Sequence, residues 1–209
     1  MSTEKDAAAA LQRLSRGFLA RRSFREKQAV RQVENERLGV KAPFVPTPQA
    51  AVDVIRDQFV LPGDAMCDLG CGDGRVLLEC ASKLESGLGV DIQEEPLAKA
   101  RAASSAISAQ RIMWLKADFF SEEVIEFLQT KATVCFLFLL PDVISLLVPF
   151  LAANMRPNAR IVCYTFPLKQ LGKDIAWPVA RQTVIPGLPS GAATIYEYIV
   201  DDAVKKSFA

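Results

Sequence analysis

Asp68-Leu69-Gly70-Cys71-Gly72-Asp73-Gly74-Arg75 is the stretch on which the fold turns. It follows the short apolar run Ala65–Leu69 and opens a helical pattern over Asp73–Leu84, so it joins a strand to a helix. Glycine lets a backbone turn sharply and approach a ligand closely. The start of the following helix offers unpaired N–H groups and the positive end of a dipole, which suit a carboxylate or phosphate. A dinucleotide fingerprint needs G-x-G-x-x-G. Here the third glycine, Gly74, comes one position early and Arg75 stands where that glycine belongs.

Downstream, strand and helix patterns alternate. Strands are expected at Gly87–Ile92, Arg111–Ala117, Ala132–Leu140 and Ala159–Phe166, and helices at Glu94–Ala109, Ser121–Gln129 and from Pro141 to Asn154 or Pro157. The run from Ala132 is continuously apolar, the mark of a strand buried on both faces of a parallel sheet. Pro141 suits the first turn of a helix, where its missing N–H costs nothing. This order implies an α/β fold with a doubly wound, mostly parallel sheet. Ligands of such sheets bind where the strand order reverses, beside the first strand's glycine loop. Past Pro167 the alternation stops. Val179–Ile185 and Ala193–Val200 read as two strands joined by a turn over Pro186–Gly191.

Upstream, residues 7–38 read as one helix, rich in Ala, Leu, Arg, Gln and Glu and free of proline. Pro43, Pro46 and Pro48 end it and favour an extended segment. A helical pattern resumes over Gln49–Phe59, with Val52, Ile55 and Phe59 on one face. The chain thus divides into a basic helical arm (1–41), a catalytic domain (42–201) and a polar tail (202–209). The arm holds ten Lys/Arg against five Asp/Glu, whereas the other residues hold fifteen against nineteen. A basic arm on a mildly acidic domain is not the pattern of a DNA-binding protein, whose positive surface belongs to the folded domain. The five cysteines are an odd number, mostly in apolar runs, and read as reduced core thiols. Cys67 and Cys71 lie close together, but the chain has no histidine and no second cysteine pair, so no metal site is expected. No apolar run reaches the roughly 18 residues of a membrane span. Cytoplasmic location is expected. The Arg-rich N-terminus keeps a mitochondrial presequence as the alternative, against which Glu4, Asp6 and Glu26 speak.

Asp-x-Gly-x-Gly-x-Gly over Asp68–Gly74 resembles motif I of the class I methyltransferases, which use S-adenosylmethionine. The terminal strand pair is how their seven-stranded, Rossmann-like sheet finishes. Phe44-Val45-Pro46-Thr47-Pro48, Leu139-Leu140-Pro141 and Arg160–Leu168 narrow the likeness. They resemble the small mitochondrial protein-lysine methyltransferases of the disruptor-of-telomeric-silencing type, which act on the ATP synthase c-subunit and the adenine nucleotide translocase. The resemblance covers about residues 44–200. It implies a cofactor held by Thr47, Asp68, Gly70, Cys71, Gly72, Asp91, Ile92, Asp118, Phe119 and Leu139. Within that set, Asp91 ends the second strand at the ribose hydroxyls, and Asp118 with Phe119 ends the third at the adenine. It further implies an acceptor pocket walled by Phe44, Leu140, Pro141 and Phe166. A protein lysine is the expected acceptor, with a small-molecule amine or RNA as alternatives. A nicotinamide-dependent oxidoreductase is a further alternative, disfavoured by the loop spacing and by the absence of histidine as a proton donor. In such relatives an apolar, membrane-associating segment precedes the domain. This chain has the basic arm there.

Within the arm, Leu11–Phe24 resembles an IQ motif. Leu11, Gln12, Arg16, Gly17, Arg21 and Phe24 fill its slots. Gly17 in mid-helix costs roughly 1 kcal/mol against alanine, so local stability does not account for it. Leu11, Leu14 and Phe18 form an apolar face suited to the groove of calmodulin or a related EF-hand protein. The alternatives are a plain basic helix, a targeting segment, or a calmodulin-binding protein whose methyltransferase domain is inactive.

Overall fold

Residues 45–209 form one compact unit. The computed structural model describes residues 45–106, 111–169, 177–188 and 191–207, all within that unit. The arm helix, its IQ-like motif and Phe44 therefore lie outside the described residues.

Seven strands form one sheet: β1 Asp64–Leu69, β2 Leu84–Asp91, β3 Ile112–Lys116, β4 Val134–Leu137, β5 Arg160–Tyr164, β6 Arg181–Leu188 and β7 Gly191–Ile199. Their spatial order is β3-β2-β1-β4-β5-β7-β6. The first five run parallel, and β7 runs antiparallel to both β5 and β6. This is the seven-stranded Rossmann-like methyltransferase sheet expected. The order reverses between β1 and β4, which places a crevice at their carboxyl ends. Every residue of β1 and β4 is buried, as central strands covered on both faces require.

The helices are α1 Gln49–Val54, α2 Arg75–Cys80, α3 Glu94–Ala106, α4 Glu122–Thr130, α5 Pro141–Asn154 and α6 Asp202–Ser207. Pro48 opens α1, its carbonyl accepting from the N–H groups of Ala51 and Val52. The expected apolar face holds: Val52, Ile55 and Phe59 are all fully buried. The helical pattern over Gln49–Phe59 is not uniform, however, because Ile55–Phe59 forms a π-helical turn. Ser121 caps α4 by accepting from the Val124 N–H.

Several boundaries differ from expectation. Helix α2 stops at Cys80 instead of reaching Leu84, because Leu84 pairs with Asp64 as the first residue of β2. Strand β4 covers only Val134–Leu137 of the expected Ala132–Leu140. Its last residue pairs with Leu69 and Cys163, and the chain then leaves toward Pro141. Pro186–Leu188 was expected in a turn but belongs to β6. The register shift between Ile185 and Leu188 is a bulge holding Pro186 and Gly187 on the outermost strand, where a missing N–H is tolerated.

At the amino edge of the sheet, opposite the crevice, charges form a chain. Arg160 reaches the Asp64 carboxylate at 2.5 Å and Glu197 at 3.3 Å, and also donates to the Phe59 carbonyl at 2.6 Å. Arg181 bridges Glu197 at 3.0 Å and lies 4.2 Å over the Phe59 ring. All five cysteines are free and buried, as expected of core thiols. Among the described residues no helix is long and apolar enough to cross a membrane, and no cluster of side chains suits a metal ion.

Candidate cofactor and acceptor site

The glycine loop leaves β1 and is stitched to the neighbouring strand. The N–H groups of Gly70 and Cys71 donate to the Val90 carbonyl at 2.8 and 3.0 Å. The Gly72 N–H donates to Asp91 Oδ2 at 2.9 Å, and the Gln93 N–H donates to Asp91 Oδ1 at 2.9 Å. Asp91 thus braces the loop while standing at the rim of the crevice.

Two glycines of the loop are obligatory for different reasons. A Cβ on Gly70 would stand 2.7 Å from Leu139 Cδ2 and 3.9 Å from Phe119 Cζ. Bare backbone therefore packs directly against the Leu139 side chain, where the exits of β1, β3 and β4 meet. A Cβ on Gly74, which caps α2 at a φ of 75°, would collide with the Trp114 ring. A Cβ on Gly89 in β2 would meet the same ring at 2.5 Å. Two missing side chains make room for one indole beneath the loop, beside Cys71.

Of the expected cofactor residues, the structure brings Gly70, Leu139 and Phe119 to one point and joins Gly72 to Asp91 by a hydrogen bond. Asp68 and Cys71 are buried beneath the loop, and Thr47 is buried beside the start of α2. Ile92 is exposed at the end of β2. Asp118 stands two residues beyond the end of β3, not at it. One of its oxygens accepts from the Phe120 N–H at 2.7 Å. Leu140 and Pro141 are exposed at the exit of β4, and Phe166 is half-buried at the exit of β5.

Charge narrows what fits. Burial first, then the neighbouring carboxylates Asp91 and Asp73, push the Asp68 carboxyl up to about 8. Near neutral pH that group is largely uncharged, so the Asp91 carboxylate at the rim is what attracts a cation and repels a pyrophosphate. Apolar side chains beside such a carboxylate suit a nucleoside that carries positive charge better than a dinucleotide.

Sequence reasoning missed two features. Arg75 forks onto Asp73, the closest pair at 2.6 Å, and its Nη1 donates to the Thr47 carbonyl at 3.3 Å. It ties the segment before α1 to the cofactor loop, and its only sequence signal was the mismatch to a dinucleotide fingerprint. Phe138 and Tyr164, at the ends of β4 and β5, meet edge-to-face with centroids 4.8 Å apart. Within apolar strand runs, nothing in their spacing set them apart.

Comparison with known proteins agrees with this geometry. A protein-lysine N-methyltransferase from Saccharolobus islandicus is 32% identical over 132 residues, covering 61% of this chain and 78% of the relative. An RNA methyltransferase from Salinibacter ruber, solved in complex with S-adenosyl-L-homocysteine, superposes with a TM-score of 0.62 at 28% identity. That match covers 76% of this chain and 95% of the other. An rRNA methylase from Streptococcus thermophilus shares the fold alone, at a TM-score of 0.54 and 12% identity over 76% of this chain and all of its own. Residues 68–174 match the family described as the ANTKMT methyltransferase domain. The glycine loop, the braced Asp91, the Leu139 and Phe119 side chains over Gly70 and these matches together place the chain in the ANTKMT methyltransferase family, as an enzyme that transfers a methyl group from S-adenosylmethionine.

Proposed function

We propose that the acceptor is a lysine side chain of a protein, and that the residues expected from the sequence hold donor and acceptor at the β1–β4 crevice. The observation that carries the acceptor is the identity with a protein-lysine N-methyltransferase over most of that relative's length. Residues 42–209, with fifteen basic and nineteen acidic side chains, also favour a protein over an RNA acceptor.

In this reading the adenosine lies against Leu139 and Phe119, with Asp91 at the ribose and the carboxyl end of the donor at the loop and α2. When bound, the donor supplies a methyl group already activated on a sulfonium. The protein's own part is to place the amine in line and exclude water. A lysine with a pKa near ~10.4 must shed its proton to attack. Leu140, Pro141 and Phe166 offer apolar walls that favour the neutral amine. A histidine base is not required, and the chain has none.

Incubation with methyl-labelled donor and cell extract, followed by mass spectrometry of tryptic peptides, tests the acceptor. Label on lysine is expected. Label removed by ribonuclease would point to RNA instead.

Asp68 makes binding pH-dependent. Its folded pKa, about 8, lies above the usual carboxylate value of 3.8. The group therefore favours the fold below about pH 4, and that contribution is lost as pH rises to about 8. A cationic ligand favours the ionised carboxylate, so affinity gained through Asp68 should rise between pH 6 and 9. The donor's α-amino group, of pKa roughly 7.7–8.0, loses charge in the same range with opposite sign. The difference between wild type and Asp68→Asn isolates the carboxyl. Calorimetry that gives the two proteins parallel pH profiles would remove Asp68 from the donor's surroundings.

We further propose that Leu11–Phe24 binds calmodulin or a related EF-hand protein. The filled IQ-type slots and the arm's surplus of positive charge support this reading. The association should weaken with salt. Gly17→Leu keeps the charge and raises helix propensity, yet should block close approach. Equal capture of both forms on calmodulin resin, with and without calcium, would reduce the arm to a plain basic helix.

A further inference from the structure

The chain leaves β5 through a strained turn. The Phe166 N–H donates to the Tyr164 carbonyl at 2.9 Å, closing a three-residue γ-turn centred on Thr165. Thr165 has a φ of 71°. A γ-turn with positive φ is rare and strained, and a β-branched residue is among the least suited to it. Such conformations persist only where surrounding contacts over-determine them.

Those contacts are present on both sides. The Thr165 N–H donates to the Thr194 carbonyl of β7 at 2.8 Å, so the turn cannot slide along the sheet. Three residues on, the Leu168 N–H donates to the Tyr198 hydroxyl at 3.0 Å. Tyr198 is fully buried and Leu168 nearly so. Before the turn, Tyr164 is buried with its ring on Phe138. Thr165, Phe166 and Pro167 are thus strung between two fixed points, half-buried at the carboxyl edge of the sheet beside the exit of β4.

Ordinary strand-to-loop passages need no such conformation, and glycine would adopt it without strain. We propose that Thr165 is a positioning residue: its γ-turn holds Phe166 as a fixed wall against which the acceptor amine is aligned with the methyl group. The proposal rests on the reading that places the acceptor between the exits of β4 and β5. The hydrogen bonds described for the turn do not involve the glycine loop, so cofactor affinity is expected to be independent of it.

Thr165→Gly keeps the turn accessible but removes the Cβ that narrows the backbone's freedom at this position; Thr165→Ser retains a Cβ and the hydroxyl. Thr165→Gly should keep an equal or higher Tm and wild-type affinity for S-adenosylhomocysteine by calorimetry. Its Phe166 amide should become mobile in NMR relaxation, and kcat for a lysine-bearing acceptor that wild type methylates should fall about tenfold. Thr165→Ser should retain most of both. An equally ordered Phe166 amide with unchanged kcat would overturn the proposal, as would a loss of cofactor affinity matching the loss of kcat. If wild type methylates no amine acceptor, the acceptor reading fails. The Phe166 order parameter still decides whether Thr165 fixes the wall.

Discussion

Arg160→Met is expected to lower the unfolding free energy by about 3 kcal/mol, the low end of the cost of removing one partner from a buried ion pair. The side chain joins three groups distant in sequence: Asp64, Glu197 and the Phe59 carbonyl. Methionine fills much of the volume but leaves two nearly buried carboxylates, 7% and 9% exposed, without their shared cation. The loss is tempered because each keeps other partners. Asp64 still accepts from the Thr133 hydroxyl and the Leu61 N–H, both at 2.7 Å, and Glu197 keeps Arg181. For a domain of this size the loss corresponds to a fall in Tm of about 6–12 °C. Lys99→Ala removes an exposed pair with Glu95 and should leave Tm unchanged within error. Thermal unfolding of the two variants side by side is the check. Equal Tm values would mean that the charge chain registers the strands without stabilising them. S-adenosylhomocysteine affinity should survive Arg160→Met, because the chain lies at the edge of the sheet opposite the crevice.

Asp91→Ala is expected to weaken S-adenosylhomocysteine binding by roughly 1–3 kcal/mol, or about 5–150-fold in Kd. Two losses combine. In the proposed placement the side chain meets the ribose, and it accepts the Gly72 N–H that holds the glycine loop in shape. Asp91→Asn keeps one oxygen for the loop but makes the other position a donor, and should fall between the two. Calorimetry against S-adenosylhomocysteine and NAD distinguishes the outcomes. Wild type should bind the first and give no heat with the second. An unchanged Kd for Asp91→Ala would falsify the placement of the ribose at this rim.

The glycine loop and the order of strands were legible because each rests on local pattern. Six consecutive buried residues in β1, a proline at the start of α5 and a Ser cap on α4 announce themselves within a few positions. Features that escaped the sequence depend on residues far apart or on conformations their types disfavour. Arg160 and Asp64 are 96 positions apart, and no spacing marks them as partners. Thr165 is β-branched and sits in a strand-like run, so it reads as extended although its φ is positive. The Ile55–Phe59 turn escaped notice because its apolar residues keep a helical period while the backbone widens to a π-turn. Pro186 reads as the end of a strand, yet the outermost position lets β6 run through it by means of a bulge. Expected acceptor residues Leu140 and Pro141 are exposed at the exit of β4.

The indole beneath the glycine loop has an optical consequence. The chain holds two tryptophans, Trp114 and Trp177. Trp177 donates its Nε1–H to the Ile199 carbonyl at 2.8 Å, at the end of β7. Trp114 lies where side chains on Gly74 and Gly89 would be, with the Cys71 sulfur beside it. Any ligand that tightens the loop changes the surroundings of one fluorophore and leaves the other as an internal reference. With Trp177→Phe to isolate the signal, the protein's own emission would follow each filling and emptying of the crevice, without label and within a single turnover.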